Sequence, residues 1–164
     1  MCRTLNILCL GSFFVAVMLL AGRPAGTMAA ESAGQERMAY LELSRLRSLS
    51  TPGISYTEYR DAVARAQRQM GLLRDSSSRT VGKLKAAMAY YDQALAVWRL
   101  QAEADPPVDS LRTDEADGAA IIVQCPGIPT FHRKSRDHIM VQDAVACLWR
   151  QAASILDEAP AELH

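Results

Sequence analysis

Four side chains in the last third of the chain could together bind a metal ion: Cys125, His132, His138 and Cys147. Zinc prefers thiolate and imidazole ligands, and structural zinc sites usually separate paired ligands by about two to five residues. Here six, five and eight residues intervene, which matches no standard zinc pattern. A metal site is therefore not predicted. His132 and His138 stay as candidate ligands in an alternative hypothesis, a metal- or redox-linked protein.

A disulfide bond explains the two late cysteines more simply. The other two cysteines, Cys2 and Cys9, lie in an apolar N-terminal segment with the features of an export signal. Removal of that segment leaves one pair, and two cysteines in an oxidising compartment are usually bonded. We therefore predict a Cys125–Cys147 disulfide. The alternative is two free thiols, with Cys147 packed inside a helix.

A short basic cluster lies between the two cysteines and could bind an anion. Residues 132–136 read His-Arg-Lys-Ser-Arg, so Arg133, Lys134 and Arg136 carry three formal charges. Such a cluster can attract lipopolysaccharide, phospholipid headgroups or an acidic protein surface. The alternative interpretation is a solvated loop without a ligand.

Motifs of the common enzyme and cofactor classes are missing from the sequence. No Gly-x-Ser-x-Gly elbow is present, and the serines at 76–78 have no neighbouring histidine. The chain also lacks Cys-x-x-Cys-His for covalent haem and Glu-x-x-His for a di-iron site. We therefore predict a protein that is not an enzyme and that has no catalytic residue and no cofactor.

The N-terminus predicts export from the cytoplasm. Arg3 is followed by a run, residues 5–22, that is apolar except for Asn6 and Ser12, and then by small residues at 25–30. This order is typical of a secretory signal peptide. We predict a signal peptide over 1–30 and a single domain over 31–164, periplasmic or secreted. The alternative is an uncleaved helix that anchors a membrane subunit, although the run is slightly short for the roughly 20 residues that a span needs.

The charge of the mature chain excludes a strong general attraction to polyanions. Two of the 18 basic residues and none of the 18 acidic residues lie within 1–30, which leaves 16 basic against 18 acidic residues and a net charge of −2. A balanced chain is not drawn to nucleic acid. We expect no nucleic-acid partner, and no stable membrane span once the signal is cleaved.

Hydrophobic periodicity predicts four helices that position these residues. Apolar residues recur at spacings of three and four over about 36–50, 56–74, 80–104 and 136–158. The second helix begins with a capping-box pattern, Ser55 and Glu58. Residues 105–135 show no period, and we expect an irregular connection with a helical turn near 110–117 and an extended segment at 119–123. The predicted fold is all-α: an antiparallel helical hairpin with two flanking helices, resembling a four-helix bundle.

Aromatic residues are concentrated in the predicted hairpin. Tyr56, Tyr59, Tyr90, Tyr91 and Trp98 could form an aromatic ligand pocket. Residues at such stripe positions more often bury their rings in the core. Core packing is the prediction, and a pocket is the alternative.

The hairpin also resembles a group of known proteins. It begins Gly-Ile-Ser-Tyr-Thr-Glu-Tyr-Arg at 53–60 and continues with Tyr-Asp-Gln-Ala-Leu-Ala-Val-Trp at 91–98. The patterns Gly-x-x-Tyr-x-x-Tyr and Tyr-x-x-Ala-x-x-x-Trp are similar to those of a family of small exported bacterial helical proteins of uncharacterised function. The resemblance covers about residues 38–104, implies an exported helical domain, and assigns no catalytic residue.

Together these patterns predict a non-enzymatic binding or scaffold module of the bacterial cell envelope. Its partner would be a protein or another envelope component. The metal- or redox-linked protein and the membrane-anchored subunit remain the two alternatives.

Overall fold

The computed structural model describes residues 25–159. Over this range the chain is mostly helical, with five helices and a small three-stranded antiparallel sheet. The elements in chain order are α1 (Ala25–Leu49), α2 (Tyr56–Gly71), α3 (Arg79–Ala102), β1 (Ser110–Arg112), α4 (Ala116–Gln124), β2 (Phe131–Arg133), β3 (Arg136–Met140) and α5 (Val141–Asp157).

The starts of α2 and α3 are fixed by serine caps. The Ser55 hydroxyl accepts a hydrogen bond from the Glu58 backbone N–H, and the Glu58 carboxylate accepts one from the Ser55 backbone N–H, which completes the predicted capping box. At the start of α3, the Ser78 hydroxyl accepts a hydrogen bond from the backbone N–H of Val81, without the reciprocal glutamate bond of a capping box. The two helices pack against each other and begin within a residue of the predicted positions.

Helix α3 lies at the centre of the helical packing. Its most extensive contacts are with α5, and it also contacts α2 and α1. Most of the apolar face that periodicity predicted is buried in α3 and in α5, but Leu95 and Trp98 of α3 are half-buried. The largest side chains with almost no exposure include Tyr59, Tyr91, Leu43, Leu84 and Leu148. The prediction of a mostly helical protein is thus confirmed.

The prediction of an all-α fold is wrong for one region. Residues 136–140, predicted to begin the last helix, form β3, the central strand of the sheet, with β1 and β2 on either side. The turn from β2 to β3 consists of Lys134 and Ser135, both with positive φ, 49° and 63°. This is the backbone that a two-residue hairpin turn requires. The strands are too short to produce a period, and β1 lies far in sequence from β3, the strand with which it pairs.

The predicted irregular connection is correspondingly more ordered than expected. Residues 110–112 form β1 rather than a helical turn, and residues 119–123 belong to α4 rather than to an extended segment. Ile121 and Ile139 are fully buried, which attaches this region to the core. The apolar run at 119–123 fits a buried helix as well as a strand, and periodicity cannot separate the two over five residues.

Glycine allows α4 to lie directly on β1. A Cβ atom added to Gly118 would lie 2.0 Å from the carbonyl oxygen of Arg112. Only a residue without a side chain permits this approach. Cys125, the residue that follows α4, is joined to Cys147 of α5.

The predicted signal peptide falls largely outside the described residues. Residues 1–24, with Cys2 and Cys9, are not covered, and α1 begins at Ala25, before the predicted start of the first helix at 36. Among the helices within 25–159, none combines the length and the apolar character that crossing a membrane requires. The single domain over 31–164 stays a prediction.

Candidate functional site

A cavity of about 310 Å³ lies where the end of α1 and the following turn approach α3 and α5. We call it the arginine cavity. Its lining carries two cations and no carboxylate, and consists of Arg47, Ser50, Pro52, Tyr91, Ala146, Trp149, Arg150 and Ala153. The apolar members, together with the arginines, give the mixed lining that is common in ligand sites.

Arg47 is held at the cavity by a carboxylate from the opposite end of the described chain. Its Nη1 and Nη2 atoms donate to the two carboxylate oxygens of Asp157 over 2.5 and 3.1 Å, a bidentate pair between α1 and α5. The hydrogen bond to Asp157 raises the pKa of Arg47, so the guanidinium remains charged. Both side chains are substantially exposed, so the pair is accessible to competing ions.

Tyr91 contributes a buried hydroxyl that lacks a partner. The residue has no exposed surface, and its Oη atom makes no hydrogen bond. Burial raises the pKa of Tyr91, which keeps the hydroxyl neutral and able to donate. The positive charge of Arg47 lowers the pKa of Tyr91, whereas the negative charge of Asp157 raises it further.

Trp149 supplies a second buried donor beside Tyr59. The indole Nε1 has no hydrogen-bond partner of normal geometry. Burial raises the pKa of Tyr59, and the nearby indole N–H lowers it in part. The Tyr59 hydroxyl donates to the backbone carbonyl of Tyr91 over 3.0 Å, so its own proton is used within the core.

An aromatic cluster adjoins the arginine cavity. The ring centroids of Tyr59, Trp98 and Trp149 lie 5.3 to 5.8 Å apart, and Tyr56 packs edge-on against Trp98 at 5.9 Å. Of the predicted aromatic residues, Tyr59 and Tyr91 are core, as packing predicted, while Tyr56, Tyr90 and Trp98 are half-buried. Tyr56 is fixed by donating from its hydroxyl to Glu103 over 2.7 Å.

A second, wider groove of about 620 Å³ lies next to the cavity and shares Pro52 with it. Its charged lining residues are Glu58, Asp61 and Arg65. Glu58 belongs to the α2 capping box, which accounts for its position. No side chain of this groove is among the buried polar groups without partners in the described part of the chain.

The predicted basic cluster forms the β2–β3 hairpin, and its charges are partly neutralised. Arg136 pairs with Asp114, and the His132 Nδ1 atom lies 3.1 Å from the carboxylate of Asp137. Arg133 and Lys134 are exposed at the turn. The anion site predicted for Arg133, Lys134 and Arg136 therefore consists of two exposed cations and one cation that is already paired, and it stays a prediction.

The candidate metal ligands are not brought together. The sulfur atoms of Cys125 and Cys147 lie at bonding distance, 2.05 Å, with Cα atoms 6.2 Å apart, and both residues are buried. The His138 Nδ1 atom lies 3.1 Å from the Ser110 hydroxyl, and its ring packs beside Phe131. Within residues 25–159, no group of three or more histidine, cysteine or acidic side chains could hold a metal ion.

The sequence analysis missed the arginine cavity. Arg47, Tyr91, Trp149 and Arg150 come from three different helices, and only the tertiary packing brings them together. The available signal was Tyr91 itself, a residue with a polar tip on a stripe that otherwise buries apolar side chains.

No family model, curated protein or solved structure matches this chain. The resemblance to small exported bacterial helical proteins therefore stays a prediction.

Proposed function

We propose that this protein is an exported, non-enzymatic helical domain that binds a small ligand in the arginine cavity. The observation that carries the proposal is that the buried hydroxyl of Tyr91, a residue that lines the cavity, has no hydrogen-bond partner. The four-helix, bundle-like arrangement and the location in the cell envelope are parts of the same proposal. The buried Cys125–Cys147 pair is compatible with export.

The energetic argument begins with the cost of that hydroxyl. A buried polar group without a hydrogen bond destabilises the folded state by about 1–3 kcal/mol, and native proteins keep few of them. Phenylalanine would fill the same volume without the penalty. A ligand that accepts a hydrogen bond from Tyr91 would remove this penalty, which would explain why the position holds tyrosine rather than phenylalanine.

The lining of the cavity supports the same conclusion. Ligand sites are concave and largely apolar, with a few polar groups that orient the ligand, and their volumes begin near about 300 Å³. The arginine cavity, at about 310 Å³, lies at the small end of that range. A metabolite-sized molecule fits this space, whereas a folded partner would need a much larger surface.

The direct test combines ligand retention with stability. Native mass spectrometry of protein released gently from cells should show a non-covalent adduct that denaturation and refolding remove. Tyr91→Phe should lose the adduct and raise the free energy of unfolding by about 1 kcal/mol, because the unpartnered hydroxyl is gone. Tyr90→Phe, the neighbouring half-buried tyrosine, is the matched control and should keep the adduct.

The two arms of this test can each contradict the proposal. If Tyr91→Phe lowers the free energy of unfolding by about 1 kcal/mol or more, the hydroxyl has a partner within the protein and the argument fails. If the adduct survives in Tyr91→Phe, the ligand lies elsewhere.

An intact mass of unreduced protein separates the proposal from the two alternatives. A chain starting at Ala30 or Glu31 and lighter by two hydrogens supports export with a disulfide. An uncut chain favours the membrane-anchored subunit. Free thiols, or a mass lost on chelation, favour the metal- or redox-linked protein with His132 and His138 as ligands.

A further inference from the structure

We propose that the ligand of the arginine cavity is a small organic carboxylate with an apolar body, and that its carboxylate takes the Arg47 guanidinium from Asp157. This inference rests on the proposed function and specifies the chemical class of its ligand. Its basis is the hydrogen-bonding character of the lining, the present partner of Arg47, and the apolar residues of the lining.

The polar groups of the lining offer donors to a ligand. The side chains of Arg47 and Arg150 are cations that can only donate hydrogen bonds, and the neutral Tyr91 hydroxyl has its proton free. The hydroxyl of Ser50 already donates to the carbonyl of Leu46. A ligand that satisfies this lining must bring acceptors, and the two cations favour a negative charge once Asp157 has released Arg47.

The geometry at Arg47 indicates which anion. The guanidinium is engaged bidentately by a carboxylate, that of Asp157, so the fork is already oriented for a planar two-oxygen group. Because Asp157 is largely exposed, it can turn to solvent when another carboxylate arrives. Tyr91 lines the same cavity and its hydroxyl has no partner, so we expect it to donate to the incoming group.

The rest of the lining indicates the body of the ligand. Pro52, Ala146, Trp149 and Ala153 give the cavity an apolar side, against which a hydrated inorganic anion would gain nothing. An aromatic ring or a short alkyl chain fits this side and the volume of about 310 Å³. Benzoate and hexanoate are therefore suitable probes.

The test is calorimetric titration of the refolded, ligand-free protein at low ionic strength with benzoate, hexanoate, benzyl alcohol and benzylamine. Each carboxylate should bind roughly tenfold or more tightly than the alcohol, because the alcohol cannot form the charge-assisted hydrogen bond to Arg47. The amine should not bind. Higher salt should weaken carboxylate binding, since the arginines are partly exposed.

Variants distinguish displacement of Asp157 from general charge attraction. Asp157→Asn should tighten benzoate binding about five- to tenfold, since Arg47 then has no competing carboxylate. Glu158→Gln removes one negative charge from the neighbouring residue and should leave the affinity unchanged. Arg47→Gln should weaken binding about tenfold or more, whereas Arg65→Gln, in the adjacent groove, should not.

Each failure has a separate meaning. Equal affinity for the alcohol and for benzoate, or equal tightening by Glu158→Gln and Asp157→Asn, overturns the carboxylate inference while the cavity remains a ligand site. An adduct in native mass spectra that carries no carboxyl group also overturns the carboxylate inference and leaves the cavity as a ligand site. If neither carboxylate binds and no adduct is found, both the inference and the proposed function are wrong.

Discussion

The hydroxyl of Tyr59 donates a hydrogen bond to the backbone carbonyl of Tyr91, which joins α2 to α3 inside the core. Both residues are fully buried, so water cannot replace the bond. Tyr59→Phe should therefore lower the free energy of unfolding by about 1 kcal/mol, measured by urea denaturation. Tyr56→Phe, which removes a more exposed bond to Glu103, is the control and should have a smaller effect. Equal stability of Tyr59→Phe and wild type would show that this bond contributes nothing.

The contact between α4 and β1 predicts an unusually large effect for a small substitution. Gly118→Ala places a methyl group against the Arg112 carbonyl, a backbone atom that cannot rotate away. We expect a loss of about 3 kcal/mol, by thermal or urea unfolding. Gly82→Ala is the matched control, because space is open there within α3, and it should stabilise the protein by up to about 1 kcal/mol. Similar effects of the two substitutions would contradict the close approach.

The disulfide should stabilise the sheet region most. A bridge between Cys125 and Cys147 closes a loop of about 23 residues, and its removal should cost about 3 kcal/mol in the chain-entropy model. In the double variant with alanine at both positions, backbone amide exchange should accelerate relative to wild type more in residues 110–140 than in α3. Uniform acceleration over the whole chain would contradict this expectation, since α3 is held mainly by other helices.

The capping box predicts a local loss of helix stability. Ser55→Ala removes the acceptor for the Glu58 backbone N–H and should lower the free energy of unfolding by about 1 kcal/mol at neutral pH. Thr57→Ala is the control, because Thr57 is an exposed hydroxyl residue in the same first turn of α2 and is not the N-cap. A comparable loss in both variants would show that the cap is not the cause.

The same motif predicts a dependence on pH. Hydrogen bonds from the side chain and the backbone of Ser55 lower the pKa of Glu58 in the folded state. A carboxyl group whose folded pKa is depressed stabilises the fold above its unfolded pKa, and that contribution is lost as the pH falls through the folded pKa. The stability difference between wild type and Glu58→Gln should therefore shrink in acid. A carbon-detected NMR titration should give Glu58 a lower pKa than in Ser55→Ala, and an unchanged value would contradict the capping box.

The helices could be predicted from the sequence because each one carries its own evidence. The stripe that includes Leu84 and Tyr91 repeats over several turns, and Ser55 with Glu58 marks a helix start without any tertiary contact. The strands carry no such local evidence. The turn at Lys134 and Ser135 lacks the Asn-Gly signature that would have predicted a hairpin.

The candidate site was harder to predict than the fold. The aromatic residues at 56, 59, 90, 91 and 98 gave a pocket as the alternative to core packing, yet of these only Tyr91 lines the cavity. Arg47 and Asp157 are 110 residues apart, and nothing in either neighbourhood indicates the pairing. Charged residues near helix ends are usually solvated, so only their distance in the folded chain distinguishes this pair.

If the proposed ligand binds, the missing hydrogen bond at Tyr91 would make the lifetime of the protein depend on that ligand. A molecule that supplies the acceptor binds the folded chain and not the unfolded one, so it raises the free energy of unfolding in proportion to the logarithm of its concentration. Proteases that attack transiently opened chains would then remove the empty form faster than the occupied form. The amount of protein that persists would follow the supply of the ligand, without any change in its synthesis.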